Sequence, residues 1–137
     1  MDRSDWDSYF MNISEQVKKR SLDPKRQVGA VLVSIKDKRI LSTGYNSLAS
    51  GLDDKINWED RDYVHKVIIH AECNVLLYAK SIFEDSILYT TTSPCLNCLK
   101  LLAAAKIKKV IYKEPYRDIE EVIKLSDFFG IIIQRRS

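Results

Sequence analysis

The sequence predicts an α/β fold with three layers, in which helices cover both faces of a central five-stranded mixed sheet. Two observations predict it. Short β-rich runs alternate with helical stretches along most of the chain, as in α/β sandwiches. The chain also begins with an amphipathic stretch followed by two closely spaced β-rich runs. At 137 residues, 45% apolar and 30% charged, the chain can bury a core, and we expect residues 1–137 to form one domain.

The N-terminal part of the chain predicts a helix and then a hairpin. Apolar side chains recur at i, i+4, i+7 and i+11, at Trp6, Phe10, Ile13 and Val17. The helix should end before Pro24, which cannot continue it. Residues 28–33 and 39–43 are β-rich, and the polar turn 36–38 between them predicts an antiparallel hairpin.

Residues 47–66 show no clear periodicity and are rich in acidic side chains. Loops of this length in compact domains are usually functional or disordered, and we interpret this one as a lid or a subunit contact. Trp58 within it could anchor the loop or line a pocket, and the sequence does not decide between them.

The remainder alternates regularly between helix and strand. Helices are predicted at 70–80, at 95–105 and from Ile119 to near Gly130; strands are predicted at 86–91, 109–112 and 131–133. Because a helix connects each pair of consecutive strands, these later strands should run parallel.

Composition narrows the function classes. No run approaches 18 consecutive apolar residues, so we expect no membrane span, and the N-terminus lacks the apolar core of a signal peptide. Three cysteines favour a reducing, cytoplasmic setting. The net charge of +3 is weak support for any polyanionic partner, and the acidic 47–66 segment makes nucleic-acid binding unlikely.

Two short motifs predict a catalytic zinc site. His70, Cys95 and Cys98 supply three ligands of the kinds zinc prefers, and catalytic zinc sites typically keep the fourth position for water. A structural site would need a fourth protein ligand, and the sequence offers no second Cys-x-x-Cys or paired histidines. If each motif begins a helix, the positive end of the helix dipole favours the thiolates.

Glu72 lies two residues from His70 and could carry protons to and from water activated by zinc. Either motif alone could be structural, redox-active or incidental; together they indicate hydrolysis. Cys73 is interpreted as a small buried packing residue.

The His-Ala-Glu and Pro-Cys-x-x-Cys motifs are those of the zinc deaminases, and further stretches resemble the deoxycytidylate (dCMP) deaminase family. These stretches are 20–24, 27–31, 44–46, 70–74, 93–98 and 107–112. The resemblance implies a cytidine-deaminase-like fold and hydrolysis of dCMP to dUMP and ammonia, which supplies thymidylate synthesis. It also implies one Zn²⁺ and a homo-oligomer, a hexamer being the commonest form.

By the same resemblance Glu72 carries the protons, Asn46 contacts the sugar, and the backbone at Ala71 and Ser93 reads the pyrimidine. Arg20 and Gln27 lie on the segment expected near the phosphate, although Arg20 could equally be a surface charge ending a helix. Tyr116 is a weaker candidate for packing against the substrate.

One departure concerns regulation. Family members often carry Gly-Tyr-Asn-Gly-x-Pro-x-Gly, associated with the effectors dCTP and dTTP; here Ser47 and Ala49 replace the second Gly and the Pro. Asn46 and Gly51 remain as candidate effector contacts, and the replacements put that regulation in doubt.

Three alternatives stay open. They are a tRNA-adenosine type deaminase, a deaminase of dCTP or a free base, and a catalytically silent zinc-bearing interaction module. The acidic segment counts against the first, and loss of Glu72 should be neutral only for the third.

Overall fold

A computed structural model describes residues 5–79 and 85–137 of the chain. Within them the helices are α1 (Trp6–Lys18), α2 (Arg61–Val67), α3 (Ala71–Tyr78), α4 (Leu96–Ala104) and α5 (Ile119–Phe129), and a 3₁₀ turn spans Asp53–Lys55. The strands are β1 (Gly29–Ser34), β2 (Ile40–Tyr45), β3 (Ser86–Thr92), β4 (Lys109–Glu114) and β5 (Ile132–Arg135). None of these helices is long and apolar enough to span a bilayer.

The strands form one mixed sheet in the order β2-β1-β3-β4-β5. Strand β1 pairs antiparallel with β2, as the predicted hairpin requires, and also antiparallel with β3. Strands β3, β4 and β5 are parallel, each joined to the next by one helix. The prediction of parallel later strands is confirmed.

Helices cover both faces of this sheet. Alternate residues of a strand point to opposite faces, and in β1 Ala30 and Leu32 join the core under α3, α4 and α5. Val31 and Val33 instead pack with Phe10 of α1. The predicted three-layer sandwich is therefore confirmed.

Helix α1 begins where its capping residue predicts. Asp5 Oδ1 accepts a hydrogen bond from Ser8 N at 2.7 Å, which satisfies an N–H that has no partner within the helix. Phe10 and Met11 are buried against the sheet, whereas Trp6 remains 52% exposed. The predicted amphipathic helix is confirmed, but its fully buried residues are Phe10, Met11 and Ser14, whereas Ile13 and Val17 are partly buried.

The prediction that 47–66 lacks regular structure is wrong for its second half. Asp60 Oδ1 accepts from Tyr63 N at 3.3 Å and caps helix α2, whose Val64 is completely buried. Trp58 is half-buried, and its Nε1 donates to Asp53 O at 3.2 Å, so this side chain anchors the segment. A single buried apolar residue explains why no helical periodicity was visible in the sequence.

Gly44 fixes how closely α3 approaches the sheet. A Cβ at this position would lie 2.6 Å from Ala71 O and 2.7 Å from Val75 N. Contacts this short between non-bonded heavy atoms are repulsive, so only glycine lets β2 lie this close to the start of α3. That start carries the His-Ala-Glu motif.

Candidate active site

Two helix N-termini bring the three predicted zinc donors together. His70 is the N-cap of α3 and Cys95 is the N-cap of α4, so the prediction that both motifs begin helices is confirmed. The His70 Nδ1 lies 3.2 Å from Cys98 Sγ and 3.5 Å from Cys95 Sγ. The donor atoms of these three residues all lie within 4.8 Å of one another.

These distances fit one tetrahedral zinc ion. With Zn–S near 2.3 Å and Zn–N near 2.05 Å, tetrahedral angles imply N···S separations of about 3.5 Å. The two His70–sulfur distances of 3.2 and 3.5 Å agree with that value. Three donors leave the fourth zinc position to water, as in catalytic sites.

The surroundings of Cys95 favour the thiolate that zinc binds. Hydrogen bonds from the Cys98 side chain, then from His70 and the Cys98 backbone N–H, outweigh burial and lower the pKa of Cys95 to about 4. The Cys98 N–H lies 3.4 Å from Cys95 Sγ and belongs to the first turn of α4, whose dipole adds to the effect.

Cys73 is less deeply buried than the packing interpretation requires. It is half-buried, and its Sγ lies 3.8 Å from Cys98 Sγ. It does not belong to the cluster of three donors. Cys73 therefore contacts the candidate zinc site without being one of its ligands.

Glu72 lies beside the donors and is 4% exposed. Thr90 Oγ1, on β3, donates to Thr92 O at 2.8 Å and lies 3.3 Å from Glu72 Oε1, so this hydroxyl contacts the carboxyl group. Burial raises the pKa of Glu72 above its usual value. A carboxyl group with a raised pKa holds a proton more readily than a free carboxylate, which suits a proton carrier.

An open cavity lies in front of Glu72. Four of the predicted substrate contacts line it, namely Asn46, Ala71, Ser93 and Tyr116. Its other lining residues include His70, Glu72, Thr92 and Ile68.

Arg20 and Gln27 do not belong to the lining of this cavity within the described part of the chain. Both are exposed, and Gln27 Nε2 donates to Ser21 O at 2.8 Å. Gly51 lines a separate polar cavity, together with Ser47 and Asn74. Asn46 and Gly51, the two candidate effector contacts, thus face different cavities.

The cavity also has a group of basic side chains that the sequence did not single out. Arg26, Arg61 and His65 line it, and we call the two arginines the cationic wall. Arg61 is held by Asp23, with Nη1 donating to Oδ1 at 2.9 Å and Nη2 to Oδ2 at 3.0 Å. Arg26 lies over the ring of Tyr116, with its Cζ 4.1 Å from the centroid.

Asn46 and Ser93 connect Arg26 and Tyr116 to the ends of the central strands by hydrogen bonds. Asn46 Oδ1 accepts from Val28 N at 2.9 Å, and its Nδ2 donates to Arg26 O at 2.8 Å. Ser93 Oγ accepts from Tyr116 N at 2.6 Å. Both sides of the Arg26–Tyr116 stack are therefore anchored next to the zinc motifs.

A cap at Asp60 could have revealed α2 from sequence, because Asp is a preferred N-cap residue. The Asp23–Arg61 pair had no comparable signal, since 38 residues separate the two side chains. Arg26 adjoins Gln27, on the segment the resemblance had placed near a phosphate, but the structure brings Arg26 rather than Gln27 to the cavity.

A three-layer sandwich that holds one His and two Cys at two helix N-termini, beside a buried Glu, defines the class of zinc hydrolases that deaminate nucleobases. The chain belongs to the family described as the cytidine and deoxycytidylate deaminase zinc-binding region, whose model matches residues 4–114.

Several relatives of this chain are deoxycytidylate deaminases. The enzyme of Mycobacterium phage D29 is 38% identical over 128 residues, covering 82% of this chain and 97% of the phage protein. The enzyme of Saccharomyces cerevisiae is 34% identical over 145 residues. That match covers 98% of this chain but 46% of the yeast protein, so the chain spans about half of that relative's length.

A solved structure shares the whole fold. The dCMP deaminase of cyanophage S-TIM5, in complex with dCMP and dUMP, superposes with a TM-score of 0.80 at 27% identity. The match covers 99% of this chain and 100% of the phage chain. The predicted cytidine-deaminase-like fold is confirmed.

Proposed function

We propose that this chain is a zinc-dependent hydrolase, acting on the C–N bond of a cyclic amidine, that converts dCMP and water to dUMP and ammonia. One observation carries the proposal: a single cavity has the candidate zinc ligand His70 and the buried Glu72 in its lining, together with two arginines. Deamination of the pyrimidine ring requires the zinc ligand and Glu72, and binding of the phosphate requires positively charged side chains such as the two arginines. The named activities of the relatives support the choice of dCMP.

Glu72 moves the protons in this proposal. A zinc ion held by His70, Cys95 and Cys98 would supply a Lewis acid that makes water nucleophilic near neutral pH. Glu72 accepts a proton as the water oxygen bonds to C4 and delivers a proton to N3. It then takes the proton of the new C4 hydroxyl and passes it to the C4 amino group, so that the C–N bond breaks, ammonia leaves and the carbonyl of uracil forms.

The other lining residues orient the substrate. The backbone at Ala71 and Ser93 reads the edge of the pyrimidine, and Tyr116 packs against the ligand. The amide of Asn46 already holds two backbone groups, so we propose that it contacts the sugar with its remaining N–H or lone pair.

The test is ammonia release by the zinc-loaded protein from dCMP, CMP, dCTP, deoxycytidine, cytosine and an adenosine-bearing RNA loop. Turnover concentrated on dCMP is the expected result. Turnover of another substrate in place of dCMP would overturn the substrate assignment and keep the hydrolytic mechanism. If the zinc-loaded protein releases no ammonia from any of the six compounds, the result would instead support a catalytically silent interaction module.

We also propose that the protein acts as a homo-oligomer, a hexamer by family resemblance, inside a reducing compartment. Leu77, Tyr78 and Leu101 on α3 and α4 are 67%, 62% and 48% exposed, which supports a subunit contact there. Sedimentation of the zinc-loaded protein tests the assembly; a monomer at micromolar concentration would contradict it. Repeating the dCMP assay with dCTP and dTTP tests regulation.

A further inference from the structure

The cationic wall contains an arginine that uses only part of its hydrogen-bonding capacity on the described part of the protein. Arg61 Nη1 donates to Asp23 Oδ1 at 2.9 Å and to Trp58 O at 3.0 Å, and Nη2 donates to Asp23 Oδ2 at 3.0 Å. A guanidinium has five N–H donors. Asp23 and Trp58 take three of them, which leaves Nε–H and one Nη2–H without a partner among the described residues.

These two remaining N–H groups lie on one edge of the guanidinium. The planar group presents paired donors along two of its edges, Nη1/Nη2 and Nε/Nη2, and such a pair matches two oxygens of a phosphate or carboxylate. Arg61 retains this edge while its side chain is 28% exposed and lines the cavity. The ion pair therefore occupies one fork of Arg61 and leaves a second fork available to a ligand.

Asp23 is built as a fixed anchor for this arrangement. It is 3% exposed and accepts hydrogen bonds from Lys25 N at 2.9 Å and Arg26 N at 3.3 Å in addition to those from Arg61. A buried carboxylate with four donors has little freedom to move. It holds Arg61 in place before any ligand arrives, which lowers the entropic cost of binding.

The same carboxylate also positions the second arginine. By accepting from Arg26 N, Asp23 fixes the turn that carries Arg26 over Tyr116. Two guanidinium groups thus reach one cavity from separate segments, organised by one aspartate. Such an arrangement of paired, preorganised cations suits a phosphate monoester better than a neutral sugar hydroxyl.

We propose that Arg61 binds the 5′-phosphate of the substrate through its free Nε/Nη2 edge, alongside Arg26, and that Asp23 is the positioning residue that presents this edge. The assignment rests on the proposed deaminase function and adds the residues that select a nucleoside monophosphate over a nucleoside.

The principal test compares dCMP with deoxycytidine. Arg61→Lys keeps a positive charge that can pair with Asp23 but lacks a second fork. We expect kcat/KM for dCMP to fall about 30-fold, as for loss of charge-assisted hydrogen bonds, while kcat/KM for deoxycytidine stays within about twofold. Equal losses on both substrates, or no loss on dCMP, would overturn the proposal.

Asp23→Asn tests positioning separately. The amide keeps the shape of the side chain but holds Arg61 and the Arg26 turn less firmly, so KM for dCMP should rise about tenfold with kcat nearly unchanged. Lys25→Gln is the matched control: Lys25 is on the same turn, and its Nζ pairs with Glu59 at 3.4 Å on the surface. A KM for dCMP equally raised in the control would indicate a general charge effect and overturn the positioning role.

A binding measurement separates this proposal from the deaminase function. Calorimetry with dUMP and deoxyuridine on the zinc-loaded protein needs no turnover, and dUMP should bind about 30-fold more tightly than deoxyuridine. Arg61→Lys should remove most of that difference. If Arg61→Lys removes the difference in affinity but the unaltered protein deaminates none of the substrates, the phosphate contact is supported and the proposed function is wrong. Equal turnover of dCMP and deoxycytidine by the unaltered chain would keep deamination and overturn the contact.

Discussion

The two ends of the cavity are assembled in different ways. At the zinc end, His70, Glu72, Cys95 and Cys98 come from two short motifs, each at the N-terminus of one helix. The cationic wall takes Arg26 from the turn before β1 and Arg61 from α2. Both ends need tertiary contacts, but the residues of the zinc end are recognisable in two short sequence motifs, whereas those of the cationic wall belong to no motif.

This difference predicts how each end responds to mutation. Ligands of a metal act together, so losing one should abolish the site, whereas basic side chains around a phosphate contribute separately. The zinc end should show all-or-none losses and the cationic wall graded ones.

Cys95→Ala should have the largest effect. Two donors cannot hold a catalytic zinc ion firmly, so zinc content should fall well below one equivalent and dCMP turnover should disappear. Atomic absorption after dialysis measures the zinc. Cys73→Ala is the control, because Cys73 lies outside the donor cluster, and it should retain one equivalent. Zinc loss in Cys73→Ala as well would contradict the three-donor assignment.

Glu72→Gln should keep the zinc and lose the chemistry. The amide fills the same buried space but cannot carry a proton, so kcat should fall about 10³-fold with zinc content unchanged. Stopped assays of dUMP formation measure the rate, and Thr90→Ser, which keeps the hydroxyl that contacts Glu72, serves as the control. A Glu72→Gln enzyme with undiminished kcat would exclude Glu72 as the proton carrier.

A comparison of two arginines in neighbouring stretches of the chain tests which of them contacts the phosphate. Arg26 lines the cavity over Tyr116, whereas Arg20 is exposed and lies outside the lining. Arg26→Gln should raise KM for dCMP about tenfold, and Arg20→Gln should change it less than about twofold. Steady-state kinetics on both variants decide between them; the reverse pattern would restore Arg20 as the phosphate residue.

The smallest effect concerns stability at low pH. Burial would raise the pKa of Asp23, but hydrogen bonds from Arg61 and the backbone N–H groups of Lys25 and Arg26 outweigh it and hold that pKa below 3.8. The ionised Asp23 therefore contributes fully to the free energy of unfolding above about pH 4, and this contribution is lost as pH falls through the folded-state pKa.

Asp23→Asn should be less stable than the unaltered chain by about 2 kcal/mol at pH 7, and this gap should narrow below about pH 4. Urea unfolding at a series of pH values measures it. Asp37→Asn, in the exposed hairpin turn, is the control and should show little gap at any pH. If the difference in free energy of unfolding between the unaltered chain and Asp23→Asn stays constant down to pH 2.5, ionisation of Asp23 does not stabilise the fold.

The same contrast explains what the sequence could predict. Strand alternation and the zinc motifs are local patterns, so the three-layer sheet and the His70–Cys95–Cys98 cluster followed from them directly. Helix α2 was missed because Val64 is its single buried residue and leaves no periodic stripe. The Asp23–Arg61 pair could not be predicted, because no local rule brings together side chains 38 positions apart.

One measurement tests most directly whether a single substrate uses both ends of the cavity. It is the ratio of kcat/KM for dCMP to kcat/KM for deoxycytidine, measured on the zinc-loaded chain by formation of dUMP and deoxyuridine. Two charge-assisted phosphate contacts predict a ratio of about 10² or more. A ratio near one would contradict the account, because the cationic wall would then take no part in substrate selection.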